Sequence, residues 1–262
     1  MDASLWVVTA IPLPDALRQL LADGEQLRRR RRRGRYAPSP TGPLHLGNLQ
    51  TALLSWLISR LQGGEWLLRI DDLDTPRNRP GAEASILADL AWLGLRWDGP
   101  LIRQSERRGL YATVLSSLRR AGALYPCRCS RRLLADVSAP HGRSPVYPGF
   151  CRPLPPRWGP EDDRLPSWRL ALQPGRIGWD EQLAGAGVLD AELEVGDVVL
   201  RRADGFLAYH LATAVDELSL GVADVVRGAD LWSATGAQVA LMQRLGGQPP
   251  RYWHTPLLTD AA

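Results

Sequence analysis

The sequence predicts an α/β fold: a parallel sheet with helices packed on it, interrupted once by an irregular insert. Three observations predict it. In the first third, short apolar runs alternate with runs of helical period, the order that builds a parallel sheet. The same alternation resumes after Gly205. Between them, from Pro126 to about Arg202, helical periodicity fades, and prolines and glycines crowd the stretch from Pro140 to Pro160.

Residues 1–33 precede the first pattern. They hold an apolar opening, Leu5 to Pro14, and six consecutive arginines, Arg28 to Arg33. Asp2, Asp15, Asp23 and Glu25 argue against a transit peptide. The segment is therefore expected to be a disordered basic extension, able to add nonspecific attraction to nucleic-acid phosphates. Leu49, Ala52, Leu53, Trp56, Leu57 and Leu61 share a helical period and predict a helix over 49–61, stopped by Gly63-Gly64. Trp66 to Ile70 reads as a strand ending in the acidic cluster Asp71, Asp72 and Asp74. Pro80-Gly81 opens a second helix, Glu83 to Leu93, which Gly94 ends. Gln104-Ser105-Glu106 is expected to cap a third, Arg107 to Arg120. Trp168–Leu170 and Val198–Leu200 read as strands within the insert. Tyr209–Val215 reads as helical or buried, Val222–Val226 as a strand and Ser233–Leu245 as a helix. This divides the chain into the extension 1–33, a first catalytic-type half 34–104, an inserted domain 105–204 and a second half 205–262.

Composition sets wide bounds. Hydrophobic residues make up 45% and charged residues 23% of 262, an ordinary globular balance. A formal charge of +4 permits an anionic partner without requiring one. All 32 basic residues are arginine, a bias that reads as GC-rich coding more than as chemistry. Three cysteines, Cys127, Cys129 and Cys151, are too few and too clustered for a disulfide framework. They point to a reduced, cytoplasmic setting. No run is long and apolar enough to span a bilayer as a helix.

The segment Arg35 to Asn48 reads R-Y-A-P-S-P-T-G-P-L-H-L-G-N. Its prolines and Thr41-Gly42-Pro43 make a tight loop of little conformational freedom. That loop opens a helix, whose unpaired N–H groups and positive dipole end suit phosphate. Gly47 lets a nucleotide approach the backbone, and His45 stands where it can donate to a phosphate oxygen. Taken alone, an H-x-G step reads first as a helix cap with a surface histidine.

The full string resembles the first nucleotide-binding motif, H-I-G-H, of class I aminoacyl-tRNA synthetases, in the form used by the glutamyl branch. Three further segments are similar to that branch: Arg69-Ile70-Asp71-Asp72-Leu73-Asp74, Phe206 to Ala212 with Val215-Asp216, and Val226-Arg227-Gly228-Ala229-Asp230-Leu231. The resemblance implies a Rossmann-like nucleotide-binding fold carrying a zinc-containing insert. It also implies ATP-dependent activation of L-glutamate, with Mg²⁺ accompanying ATP. His45 and Asn48 are then the catalytic candidates, and with Gly47 they bind ATP. Arg35, Ala37, Ser39, Asp71, Tyr209 and Arg227 are the candidates for glutamate. Two carboxylates call for two cationic forks, Arg35 and Arg227, with the assignment between them left open. The ammonium calls for an acid, Asp71, where the family usually carries Glu.

Cys127-x-Cys129, then Tyr147-x-x-x-Cys151, offers three thiolates and a fourth ligand for a tetrahedral Zn²⁺ site. From spacing alone, three buried or free thiols are an equal reading. The pattern is similar to that of glutamyl-queuosine tRNA(Asp) synthetases, short relatives that attach glutamate to queuosine in the anticodon loop of tRNA(Asp). That resemblance implies one structural zinc per chain held by Cys127, Cys129, Tyr147 and Cys151, with His141 competing with Tyr147. Class I synthetases also carry a lysine motif, K-M-S-K-S, soon after a segment like Tyr252 to Leu257. The 262 residues contain no lysine, so the sequence is expected to stop short of that motif and to activate glutamate weakly or not at all. Two other readings stay open: a fragment of a glutamyl-tRNA synthetase charging tRNA(Glu), and a non-catalytic nucleotide- or RNA-binding relative.

Overall fold

In a computed structural model, which describes residues 9–130, Leu133 and 146–258, the elements run as follows. Helix α1 is Asp15–Arg30, strand β1 Arg33–Tyr36, α2 Leu46–Leu61 and β2 Glu65–Ile70. Then come α3 Ala82–Trp92, β3 Ile102–Arg103 and α4 Arg108–Arg120. The insert contributes β4 Leu124–Cys127, β5 Ser167–Leu170, β6 Arg176–Trp179, β7 Gly187–Asp190 and β8 Val198–Arg201. The chain closes with α5 Tyr209–Ser219, β9 Asp224–Gly228, α6 Trp232–Arg244 and β10 Arg251–Thr255.

The predicted parallel sheet is present, with strand order β10-β9-β1-β2-β3. β1 lies between β2 and β9, so Arg35 pairs with Leu67 on one side and Val225 on the other. The chain runs outward from β1 in one direction through β2 and β3, and in the other through β9 and β10. The switch point therefore falls between the carboxyl ends of β1 and β9, where such sheets bind ligands. The insert forms an antiparallel sheet β4-β5-β8 and a hairpin β6-β7. Its apolar residues, among them Leu124, Leu170, Val198 and Leu200, join one buried cluster with Leu118 of α4, Leu211 and Val215 of α5, and Val239 of α6. On the other side of the sheet, Trp66, Leu68 and Ile70 meet Ala52, Ile86 and Leu90 of α2 and α3.

The expected disordered arm is not what residues 9–33 form. They make α1 and the start of β1, and α1 packs on α5. Asp15 lies in the first turn of α1 and Arg28, Arg29 and Arg30 in the last, so both ends complement the helix dipole. Gly24 permits the contact: a Cβ there would lie 2.0 Å from the Leu218 carbonyl oxygen. Five of the six arginines in the run find carboxylate partners. Arg28 and Arg29 pair with Glu25, Arg31 and Arg33 with Glu65, and Arg32 with Asp224.

Two smaller expectations also shift. α2 begins at Leu46, three residues early, which makes His45 its N-cap. Ser105 does not cap α4; its hydroxyl and N–H both go to Asp72, at 2.6 and 2.8 Å.

Candidate active site

A cleft of about 580 Å³ opens at the switch point. It gathers every predicted ATP and glutamate residue: Arg35, Ala37, Ser39, His45, Gly47, Asn48, Asp71, Tyr209 and Arg227. Arg35 comes from β1 and Arg227 from the end of β9, and Tyr209 opens α5. The proline loop is tied down by its carbonyls. Pro38 O accepts from Asp71 N–H and Pro40 O from Arg79 N–H, both at 2.9 Å. The loop after β1 is thus latched to the segment after β2.

His45 closes a reciprocal cap with Asn48. The Asn48 N–H donates to His45 Nδ1 at 3.4 Å, and the His45 N–H donates to Asn48 Oδ1 at 3.2 Å. A neutral ring whose Nδ1 accepts carries its proton on Nε2. That N–H is free to donate, at a helix N-terminus already suited to an anion. Gly47 leaves room for the ring, because a Cβ there would come within 3.2 Å of His45 Cε1.

Beneath this rim lies a buried charge cluster. Arg35 Nε donates to Glu217 Oε1 at 2.9 Å, and its Nη1 donates to the Val226 carbonyl at 3.2 Å. Arg69 donates to both Asp71 oxygens and approaches Asp216 at 3.5 Å and Glu217 at 3.6 Å. Asp216 also accepts from Gln104 Nε2, Arg107 Nε and the Tyr111 hydroxyl. Buried Arg35 and Arg69, with half-buried Arg107, thus face three buried carboxylates, the arrangement that makes buried charge tolerable. Burial pushes the Asp71 carboxyl up to about 6, with Arg69 opposing the rise. Arg227 donates through Nη1 to Gln238 Oε1 at 2.7 Å, through Nη2 to the Thr235 hydroxyl, and through Nε to His254 Nε2 at 3.4 Å. Neither Arg35 nor Arg227 is a wholly free fork. Each is a guanidinium held on some donors and open on others.

Glu217 and Glu181 went unnamed in the sequence, and Arg69, Asp216 and His254 fell inside quoted segments without being given a role. Asp216-Glu217 did carry a signal: two acids inside an otherwise apolar helix call for buried cationic partners. The remainder of the acidic cluster is structural, with Asp72 on Ser105 and Asp74 paired to Arg77 and Arg202.

The cysteines converge in the insert. The Sγ atoms of Cys127, Cys129 and Cys151 lie within 4.8 Å of one another, the metal-competent cluster among the described residues. The Tyr147 hydroxyl is 3.4 Å from Cys127 Sγ and 3.7 Å from Cys129 Sγ, and Cys129 and Cys151 sulfurs are 3.6 Å apart. Tetrahedral Zn–S bonds near 2.3 Å and a Zn–O bond near 2.0 Å imply ligand separations of about 3.5–3.8 Å. The donors fit a zinc ion at those distances. Cys151 N–H donates to the phenol oxygen at 2.9 Å, and the Arg169 guanidinium lies 3.8 Å over the Tyr147 ring. Burial pushes the Tyr147 phenol well above its ordinary range, and the Cys151 N–H opposes the rise. Burial pushes the Cys129 thiol up to about 11, opposed by the Tyr147 phenol; a cation would reverse the rise. His141, the rival fourth ligand, lies outside the described residues.

Comparison with known proteins agrees with this fold. The family model for class I tRNA synthetases (E and Q), catalytic domain, matches residues 32–262. A glutamyl-Q tRNA(Asp) synthetase of Prochlorococcus marinus (strain MIT 9303) is 56% identical over 254 residues, 97% of this chain and 78% of that protein. One from Synechococcus sp. (strain CC9605) is 60% identical over 230 residues, 88% of this chain and 71% of that protein. Among solved structures, a glutamate tRNA ligase from Elizabethkingia meningosepticum, in complex with its amino acid, matches with a TM-score of 0.73 at 28% identity. That match covers 87% of this chain, which spans half the length of the ligase.

Proposed function

The chain belongs to the class I tRNA synthetases of the E and Q branch, ligases of the aminoacyl-tRNA synthetase type, and on that premise we propose that it activates L-glutamate with ATP and passes the glutamyl group to queuosine in tRNA(Asp). The observation that carries this reading is the convergence of Arg35, Arg227 and Asp71 with the His45–Asn48 helix terminus in one cleft. Two fixed cations and one acid complement the two carboxylates and one ammonium of glutamate. The glutamyl-Q names of the relatives support the queuosine acceptor over tRNA(Glu).

In the first step an oxygen of the glutamate α-carboxylate attacks the α-phosphorus of ATP. The bond from that phosphorus to the bridging oxygen breaks, and pyrophosphate leaves with the electron pair. ATP enters with Mg²⁺, which neutralises charge between the phosphates. The chain's own contribution is positioning and preorganised charge. The arginines hold the amino acid in line, Asp71 holds the ammonium, and His45 Nε2–H meets a phosphate oxygen as charge builds. In the second step a queuosine hydroxyl attacks the acyl carbonyl, a carbon–oxygen bond forms, and AMP leaves. The thiolate–phenol site takes no part in either step. A zinc ion held by Cys127, Cys129, Tyr147 and Cys151 would cross-link the end of β4 to the Tyr147–Cys151 loop.

Transfer of labelled glutamate separates the readings. Slow labelling of tRNA(Asp) carrying queuosine, in keeping with a sequence that has no lysine, and not of tRNA(Asp) lacking queuosine or of tRNA(Glu), is expected. Labelling of tRNA(Glu) alone would overturn the queuosine assignment, and glutamate and ATP binding without turnover would favour a non-catalytic relative.

A further inference from the structure

Arg227 contacts His254, which in turn bonds Glu181 of the insert. Glu181 follows the hairpin strand β6, and its segment joins the edge strand β10 by backbone bonds. Tyr252 N–H donates to Asp180 O at 2.8 Å and Gln182 N–H to Tyr252 O at 2.9 Å. From that edge the Glu181 carboxylate takes two hydrogen bonds from one residue, His254. The backbone N–H donates at 3.1 Å and ring Nδ1 at 2.6 Å. Trp179 Nε1 adds a third bond, at 3.2 Å. Both side chains are wholly shielded from water.

That pairing fixes the other side of the ring. With its proton on Nδ1, a neutral imidazole presents a lone pair at Nε2. Burial and the nearby Arg227 charge lower the His254 pKa, so the neutral form prevails at pH 7, although Glu181 opposes the shift. Nε2 faces Arg227 Nε at 3.4 Å and the Thr235 hydroxyl at 2.8 Å. The Tyr252 ring lies 4.9 Å below the Arg227 guanidinium. Of the five N–H bonds on that guanidinium, one each on Nε, Nη1 and Nη2 is engaged. One N–H remains on each Nη nitrogen, a pair suited to a carboxylate fork.

We propose that Glu181 and His254 form a positioning relay that sets the orientation of Arg227 for the glutamate carboxylate, and so ties the amino-acid pocket to the insert. The inference rests on the reading of Arg227 as a glutamate ligand. Neither relay residue lines the cleft; both act through Arg227.

Three substitutions, with Arg227→Ala as a control, test it by titration calorimetry, with glutamate and with ATP measured separately and unfolding monitored alongside. His254→Asn keeps a donor toward Glu181 but removes the acceptor that faces Arg227. His254→Gln extends an amide oxygen to where Nε2 stood and keeps that acceptor. Glu181→Gln permits an amide N–H to face Nδ1, which moves the ring proton to Nε2 against Arg227. The expected result is glutamate affinity weakened about tenfold in His254→Asn and in Glu181→Gln, the loss of one charge-assisted hydrogen bond. ATP affinity stays within about twofold, and His254→Gln recovers most of the glutamate affinity. A purely structural pair would lose ATP affinity and thermal stability in parallel, with no recovery in His254→Gln, and that result would overturn the relay. So would unchanged glutamate affinity in His254→Asn. If the unsubstituted protein and Arg227→Ala bind glutamate equally, the assignment of Arg227 fails, and the relay falls with it.

Discussion

Arg69 grips Asp71 from two residues away, Nε to Oδ1 at 2.7 Å and Nη2 to Oδ2 at 3.2 Å. The carboxylate is thereby drawn to the floor of the cleft, and burial still pushes its pKa up to about 6. A carboxyl that is protonated at low pH cannot pair with an ammonium.

Glutamate binding in the absence of ATP is therefore expected to weaken as pH falls from about 7 to about 5.5. Stability should run the other way in this window. The native carboxyl holds its proton up to about 6, whereas the unfolded one loses it near 3.9, so Asp71 destabilises the fold as pH rises between them. Asp71→Asn isolates the group: affinity should be weak and nearly flat with pH. Calorimetric titration across the range checks it, and a variant that keeps both tight binding and the pH slope would remove Asp71 from the pocket.

Glu217 offers a second measurement. It is buried and faces both Arg35 and Arg69. Removing one partner of a buried ion pair leaves an uncompensated charge and costs about 3–5 kcal/mol. Glu217→Ala should lose stability on that order in urea denaturation. At temperatures where it stays folded, its glutamate affinity should also fall, because Arg35 Nε has lost its anchor. A loss below about 1 kcal/mol would mean that water or a neighbour takes over the role.

Local patterns in the sequence reveal the frame of the site but not its supports. The Arg35–Asn48 string, Asp71, Tyr209 and Arg227 were legible because each sits in a motif next to a strand or helix end. They converge because β1 and β9 are neighbours in a parallel sheet. Glu217 was hidden because its partners lie 182 and 148 residues away in sequence, and no local pattern encodes such a pairing. The Arg28–Arg33 run misled for the same reason. A charge run reads as a solvated arm until Glu65 and Asp224, from distant strands, are brought beside it. The three-residue shift at the start of α2 arose because Gly47 and Asn48 are weak helix formers, so only the His45–Asn48 cap marks the true start.

The insert's cysteine cluster predicts about one equivalent of zinc per chain by elemental analysis. Because the thiols and phenol must lose protons to bind, metal affinity should fall as pH is lowered. Cys127→Ser should abolish retention. Tyr147→Phe should retain zinc more weakly, since three sulfurs remain within 4.8 Å of one another. Chelation should lower the unfolding temperature while leaving glutamate affinity nearly unchanged, because the cluster lies outside the cleft. Less than half an equivalent of zinc in carefully purified protein would sink the assignment.

The His45–Asn48 cap allows the phosphate role of His45 to be separated from its structural one. Asparagine is a strong N-cap and can accept from the Asn48 N–H, but it lacks the Nε2–H that faces the nucleotide end of the cleft. His45→Asn should thus keep the helix and lose the donor. Removing one preorganised donor from a developing oxyanion costs about 10²–10³ in rate. Formation of glutamyl-adenylate, followed in a single turnover with enzyme in excess of labelled ATP, should slow by about that factor. Glutamate affinity and unfolding temperature should hardly move. His45→Ala loses the cap as well, and should add a stability loss of about 0.5–2 kcal/mol to the same rate defect. If His45→Asn forms adenylate as fast as the unsubstituted protein while His45→Ala is slow, His45 serves only as a helix cap.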